Sequence, residues 1–142
     1  MIAAAGTREA LQVVFGPVVL AVFGVSLAAS GVFSMDAMRG YPPGTAPGTP
    51  SVLSRQHKVH DVFGFLVFSS LPVACVAFAV ALPEGMWVAY SLATAVVLVV
   101  LFITFGAAWE RDAPRTGLIQ RAMIIVGWTW IALVCLELIG LG

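Results

Sequence analysis

Charged residues divide the chain into four long apolar runs. The first three runs contain no charged residue between Glu9 and Asp36, between Asp61 and Glu84, or between Glu84 and Glu110. Each run is long enough to cross a hydrocarbon core of about 30 Å, which needs about 20 helical residues. The fourth run carries charges only near its two ends. The pattern predicts an all-α integral membrane bundle of four transmembrane helices in up-down order.

The predicted helices cover residues 11–34, 59–82, 86–108 and 117–139, with one long loop at 35–58. A single bundle uses the whole length, so we interpret residues 1–142 as one transmembrane domain. The first run exceeds the roughly 7–15 apolar residues of a signal peptide, so we expect it to be retained. Pro17 lies inside the first predicted helix, and Pro72 predicts a kink in the second.

Residues near the helix ends are candidate anchors at the membrane surface. Trp87 and Trp109 lie about 33 Å apart along a helix, which matches the distance between two interfacial aromatic belts. Arg121 and Glu137 lie only about 24 Å apart, less than the core thickness, so at least one must reach an interface. We favour interfacial positions for both over a buried ion pair.

Composition narrows the possible functions. Hydrophobic residues make up 61% of the chain, charged residues 10%, and the net charge is zero. This balance implies the lipid bilayer as a partner and gives no basis for nucleic-acid binding. Cys75 and Cys135 both lie in apolar runs, where they are expected to act as small buried hydrophobes. The sequence lacks a P-loop, a dinucleotide fingerprint and a His-Glu-x-x-His motif, and no cofactor is predicted.

The long loop is rich in residues that prevent a helix. The stretch 40–50 contains four prolines and three glycines, which favour turns or polyproline structure. Low complexity is typical of a disordered tether. The paired prolines and Tyr41 instead favour a stiff lid over the bundle end, with Tyr41 as an anchor at the level of the headgroups. We predict the ordered lid.

A polar cluster at the start of the second helix is the candidate site. His57, His60 and Asp61 have helical spacing that places them on roughly one side, and Asp36 lies at the far end of the loop. Two imidazoles and carboxylates could ligate zinc or move protons near neutral pH. The alternative is a polar helix end among headgroups, where Asp61 helps to cap the helix. We favour the second interpretation, so His57, His60 and Asp61 are only weak metal candidates.

Small and hydroxylic residues form a stripe along the first helix. Ser26, Ser30 and Ser34 recur at four-residue steps, a pattern that suits close helix packing. A polar permeation path is the alternative, and we favour packing because no charge lies at mid-membrane. Trp128 and Trp130, near the middle of the last helix, are also expected to pack inside the bundle.

Several segments resemble a known family. They are the segments 31–36, 40–44, 57–61, 90–94, 105–106 and 117–121, which read GVFSMD, GYPPG, HKVHD, YSLAT, FG and GLIQR. In these segments the chain is similar to the bacterial multi-pass membrane family catalogued as domain of unknown function 998. The resemblance implies a fold and no reaction. It also implies about six helices, so this chain is expected to lack the first two, either as a natural short form or through their loss from the gene or gene model.

The orientation in the membrane has two opposed indications. Most cations lie on the side of the first and third loops, namely Arg39, Arg55, Lys58, Arg111 and Arg115. Only Arg8 lies on the other side, and this asymmetry favours cytoplasmic first and third loops. The six-helix arrangement implied by the resemblance places the same loops outside. We favour the family arrangement, because missing segments can carry the orienting charges.

Three functions are compatible with these observations. The first is a non-enzymatic subunit or accessory protein of the bacterial plasma membrane, acting through helix or lipid contacts with itself or another subunit. The second is a metal- or proton-handling membrane enzyme centred on Asp36, His57, His60 and Asp61. The third is a small oligomeric transporter. The apolar interior favours the first.

Overall fold

The chain forms four helices within the part that the structure describes. The computed structural model describes residues 14–81 and 85–140. The helices are α1 (Gly16–Val32), α2 (Arg55–Ala81), α3 (Met86–Glu110) and α4 (Thr116–Leu138). Helices α2, α3 and α4 are long and apolar enough to cross a membrane, whereas α1 has 17 residues and is shorter. The all-helical fold is therefore confirmed, and three of its helices suit a membrane, whereas a membrane crossing by α1 stays a prediction.

Ring and hydrogen-bond contacts between consecutive helices show an antiparallel arrangement. Phe33, just after α1, stacks on Phe63 near the start of α2 at 6.1 Å between ring centroids. Phe68 in the first half of α2 lies 6.1 Å from Phe105 near the end of α3. The first and third loops therefore lie at the same end of the bundle. Ser91 near the start of α3 contacts Trp130 in the second half of α4, so α4 runs antiparallel to α3.

Helix α2 is the centre of the bundle. It packs against both α1 and α3, and 50% of its most apolar stretch is buried, against 22% for α3 and for α4. The side chain of Leu71 on α2 reaches α4, because a methyl group added at Gly127 would lie 2.6 Å from its Cδ1. The absence of a side chain at Gly127 leaves room for Leu71.

Two helix starts differ from the sequence-based bounds. Helix α2 begins at Arg55 rather than at residue 59, so much of the polar cluster is helical. Helix α1 begins at Gly16, directly after π-helical residues 14–15, and Pro17 lies next to this junction. Pro72 lies within α2. Residues 11–13 of the first predicted helix and the turn at 82–84 lie outside the described residues.

The two tryptophans expected to pack in α4 have different environments. Trp130 is fully buried, and its Nε1–H donates to Oγ of Ser91 at 3.0 Å. Its ring meets the edge of Phe78 at 5.6 Å between centroids. Trp128 is 50% exposed, so it does not share the buried position of Trp130, and a packing role outside the bundle stays a prediction. Residues two apart on a helix point about 200° apart, so both could not face the same core. Cys75 is buried as expected, whereas Cys135 is exposed.

Candidate functional site

The start of α2 is capped by its own serine and by a carboxylate from the loop. Oγ of Ser54 accepts the backbone N–H of His57 at 3.1 Å, which is the usual contact of a serine at the N-cap position. Oδ2 of Asp36 in turn accepts the backbone N–H of Ser54 at 2.7 Å. Hydrogen bonding from the side chain and the backbone of Ser54 holds the pKa of the Asp36 carboxyl below its usual value.

His57 is buried beneath this cap, and both of its ring nitrogens are engaged. The backbone N–H of Asp36 donates to Nδ1 at 3.0 Å, so Nδ1 must be an acceptor without a proton. The ring proton is therefore on Nε2, which lies 3.2 Å from Oδ2 of Asp61 and donates to it. Oδ2 of Asp36 lies 3.9 Å from Nδ1. That contact is not an ion pair, because Nδ1 already accepts the Asp36 amide.

His60 has the opposite tautomer and a different role. Its Nδ1 lies 2.9 Å from the carbonyl oxygen of Ser30 and 2.8 Å from that of Phe33. Because carbonyl oxygens only accept, Nδ1 must carry the proton and donate to both. These carbonyls belong to the end of α1, where helix carbonyls lack partners within the helix. His60 therefore caps α1 from α2 and leaves Nε2 as an acceptor.

The structure thus brings together three of the four predicted site residues. Asp36, His57 and Asp61 form one connected chain, whereas the Nδ1 side of the His60 ring is turned to the end of α1. Asp61 does not cap α2, contrary to the sequence-based expectation; Ser54 and Asp36 do. Across residues 14–81 and 85–140, no three His, Cys, Asp or Glu side chains converge as a metal site.

Arg39 lies at the same bundle end and makes contacts that the sequence did not predict. Its guanidinium lies over the ring of Trp109 at 4.1 Å and donates from Nη1 to the carbonyl of the same residue. Its Nε contacts Oδ1 of Asp112 at 2.8 Å and Oγ1 of Thr49 at 3.0 Å. We refer to Arg39, Trp109 and Asp112 as the loop latch, because they join the first loop to the end of α3. The sequence showed Arg39 only as one of several loop cations.

The loop has its own hydrogen bonds and one buried apolar side chain. Met38 is only 4% exposed and pairs with Tyr41 through two backbone hydrogen bonds, at 2.9 and 2.8 Å. The amide of Gly40 donates to Ala46 at 3.3 Å. Tyr41 itself is 78% exposed, so contacts of other residues hold the loop on the bundle. A position of Tyr41 among headgroups stays a prediction.

An aromatic groove opens below the loop, between α2 and α3. Its volume is about 450 Å³. Phenylalanines from both helices line it, namely Phe65, Phe68, Phe102 and Phe105. At the end nearer the loop it is lined by Ser30, His60, Asp61, Trp109 and Gln120. The groove therefore has an apolar body and a polar end, as ligand sites commonly do.

The remaining predicted residues lie at the bundle ends and on α1. Trp87 is half-buried and meets Tyr90 edge-on at 5.9 Å, and Arg121 is exposed at the start of α4. Ser26 is buried on α1, whereas Oγ of Ser34 donates to Oε1 of Gln56 at 3.3 Å near the exposed loop. The hydroxyl stripe is thus divided between the packed interior and the loop end.

These features define a class, a helical-bundle membrane protein, and in the described part of the chain most polar residues gather at one bundle end. The chain belongs to the family described as protein of unknown function (DUF998), whose model matches residues 1–137. Neither the curated proteins nor the solved structures contain a match to this chain. The family membership supports the membrane fold and assigns no reaction.

Proposed function

We propose that the protein is a non-enzymatic membrane component that works through lipid contacts, as a subunit or accessory protein. In this proposal the polar cluster is structural. It clasps the first loop and the end of α1 onto the start of α2. The groove between α2 and α3 provides the surface for lipid. A bacterial plasma membrane, a second copy of the chain and another membrane subunit remain the proposed setting and partners.

One observation carries this proposal, namely that most polar groups of the cluster are hydrogen-bonded within the fold. His57 uses both ring nitrogens, and Asp36 receives the amide of Ser54. His60 gives its ring proton to two carbonyls of α1. A reacting or metal-binding set must present free lone pairs or protons to one shared point. Most lone pairs and ring protons of this cluster are used in hydrogen bonds within the fold, which favours a structural role.

A proton-handling site is the second candidate, and one contact favours it. His57 and Asp61 form an imidazole–carboxylate pair at 3.2 Å, and the Asp61 side chain is 53% exposed while His57 is buried. Such a pair can pass a proton between solvent and a buried ring. The acceptor role of Nδ1 toward the Asp36 amide argues against onward transfer, because that nitrogen has no free lone pair.

The structural role of the cluster is tested by His57→Ala, with Lys58→Ala as the matched control on the adjacent, exposed position. Each purified protein is examined by native mass spectrometry, metal analysis and thermal unfolding. We expect co-purifying lipid on the wild type. We expect His57→Ala to lower the free energy of unfolding by about 1–3 kcal/mol, because a buried amide and a carboxylate lose their partner. Lys58→Ala should change nothing.

Two results would overturn the proposal. A stoichiometric metal that is lost in His57→Ala would transfer the site to the metal-handling alternative. Wild-type protein that retains neither lipid nor a second membrane protein would remove the basis for a contact function.

A further inference from the structure

The polar end of the aromatic groove holds a negative charge without a matching cation. Asp61 accepts a hydrogen bond from His57, which is neutral in the tautomer that the Asp36 amide enforces. Among the described residues, no lysine or arginine lies within ion-pair distance of Asp61. Its carboxylate has lone pairs that the single contact with His57 does not use. A ligand at this end of the groove should therefore be cationic.

The hydrogen-bond pattern at the same end selects a donor. His60 lines the groove and gives its Nδ1 proton to α1, so its Nε2 is an acceptor with no partner in the described part of the chain. Asp61 also accepts, and Gln120 can present its carbonyl oxygen. A primary ammonium has three donors and no acceptor, which complements such a set.

The body of the groove suits an alkyl chain that extends toward the middle of the membrane. Phe65 and Phe68 lie one and two helical turns further along α2 than Asp61. They meet Phe102 of α3, at 5.8 and 6.4 Å between ring centroids. The head of a ligand at Asp61 would lie at the loop end of the bundle, and its tail would run along these rings. This is the orientation of an amphiphile within one leaflet.

We propose that the groove between α2 and α3 binds an amphiphile with a primary ammonium head. Asp61 and the Nε2 atom of His60 receive the head, and the phenylalanine walls hold the alkyl chain. The inference rests on the proposed lipid-contact function and names the ligand class. A phosphatidylethanolamine lipid and a free long-chain amine share this chemistry. The volume of about 450 Å³ lies toward the lower end for ligand sites, about 300–1,000 Å³.

Equilibrium binding of radiolabelled dodecylamine to the full chain in neutral maltoside micelles tests the charge. We expect saturable binding of about one molecule per chain. Asp61→Asn keeps the shape and removes the charge, and it should weaken the affinity at least tenfold. Glu110→Gln removes an exposed charge from the same bundle end outside the groove, and it should leave the affinity unchanged. Dodecanol and dodecanoate should compete poorly, and so should dodecyltrimethylammonium, which has no donor.

A second pair of variants tests the position of the chain. Gly64 lines the groove, and a methyl group added there meets no atom within 4 Å. Gly64→Leu should fill the groove and abolish binding, whereas Gly24→Leu on α1, equally open, should not. Thermal unfolding of each variant confirms that it folds. Leucine in place of glycine is not expected to disrupt a helix.

The possible outcomes distinguish a failure of this inference from a failure of the proposed lipid-contact function. Displacement of dodecylamine by phosphatidylethanolamine but not by phosphatidylcholine upholds the inference with a membrane lipid as the source. Retained binding without such displacement upholds it with a free amine. The inference is overturned if Asp61→Asn binds dodecylamine as tightly as the wild type does, or if the wild type binds dodecyl probes equally well whatever the charge of their heads. In that case lipid that co-purifies with the protein would still support the lipid-contact function.

Discussion

At the scale of single residues, two histidines three positions apart are in opposite tautomers. His57 carries its proton on Nε2 and His60 on Nδ1, because one ring faces an amide and the other faces carbonyls. Sequence spacing could place both on one helix end, and it suggested shared chemistry. It could not reveal the partners of the two Nδ1 atoms. These partners are backbone groups of α1 and of the loop, and backbone groups are the same in every residue type.

Arg39 shows a second limit of the sequence at this scale. It is one of two described non-glycine residues with a left-handed backbone, at φ 53°, and the other is its partner Asp112, at φ 50°. Such conformations cost about 1–3 kcal/mol each and persist where surrounding contacts hold them. The cation–π contact with Trp109 and the ion pair with Asp112 are those contacts. No motif in the sequence pairs residues so far apart.

The loop latch predicts how Arg39→Ala will behave. The substitution removes a cation–π contact and several hydrogen bonds of a charged group, together worth about 1–3 kcal/mol after allowance for the exposure of Asp112. Exchange protection of the Arg39, Gly40 and Tyr41 amides, measured in nanodiscs, should fall about tenfold or more. The backbone amide of residue 39 remains a probe after the substitution, because it donates to the carbonyl of Gly48.

Arg111→Ala is the matched control for the latch, because Arg111 is exposed beside it and has no side-chain partner among the described residues. Its loop amides should exchange as in the wild type. Complete exchange across residues 39–48 within seconds in the unaltered protein would show that the loop is a free tether, and the predicted ordered lid would be wrong.

At the scale of helices, the sequence-based bounds agree with the last two helices and miss the start of α2. The predicted third and fourth helices, 86–108 and 117–139, nearly coincide with α3 and α4. The start of α2 was misjudged because polar residues there looked like loop. Ser54 and Asp36 cap that polar turn, and the cap depends on a carboxylate from the other end of the loop.

Gly127 provides a test of how closely α4 and α2 must approach. In Gly127→Ala the new methyl would lie 2.6 Å from Cδ1 of Leu71 and 3.7 Å from Cδ2 of Leu98. Leu71 is 2% exposed, so its side chain has little room to rotate away. We expect a loss of about 1–3 kcal/mol from overpacking, partly offset by the better helix propensity of alanine. Unfolding in mixed micelles measures the change.

Gly117→Ala is the control for that substitution, because a methyl group at Gly117 meets no atom within 4 Å. It should be neutral or slightly stabilising. If both variants have the same stability, Leu71 moves aside without cost, and close approach at Gly127 does not hold α4 in place.

At the scale of the whole molecule, the apolar faces are as informative as the core. Large side chains remain exposed along α1 and α3, among them Val25, Val96 and Ile103. In a membrane such faces meet lipid or other helices at little cost. The sequence predicted the membrane class from these residues. It could not predict which face would carry a groove, since the groove depends on how the rings of two helices pair.

The antiparallel arrangement makes a last prediction about sidedness. The latch between Arg39 and Asp112 fixes the first and third loops at one end, and α2 and α3 lead away from it and back. With the native cysteines replaced, Thr45→Cys and Arg111→Cys should react with an impermeant maleimide from one side of the membrane. Met86→Cys at the start of α3 and Ile139→Cys at the end of α4 should react from the other. Labelling of Thr45→Cys and Met86→Cys from the same face would mean that α2 does not cross, and the up-down bundle would fail. The side that Thr45→Cys occupies also decides between the two orientations. A cytoplasmic position follows the lysine and arginine count, and an external position follows the six-helix arrangement that the sequence resemblance implied.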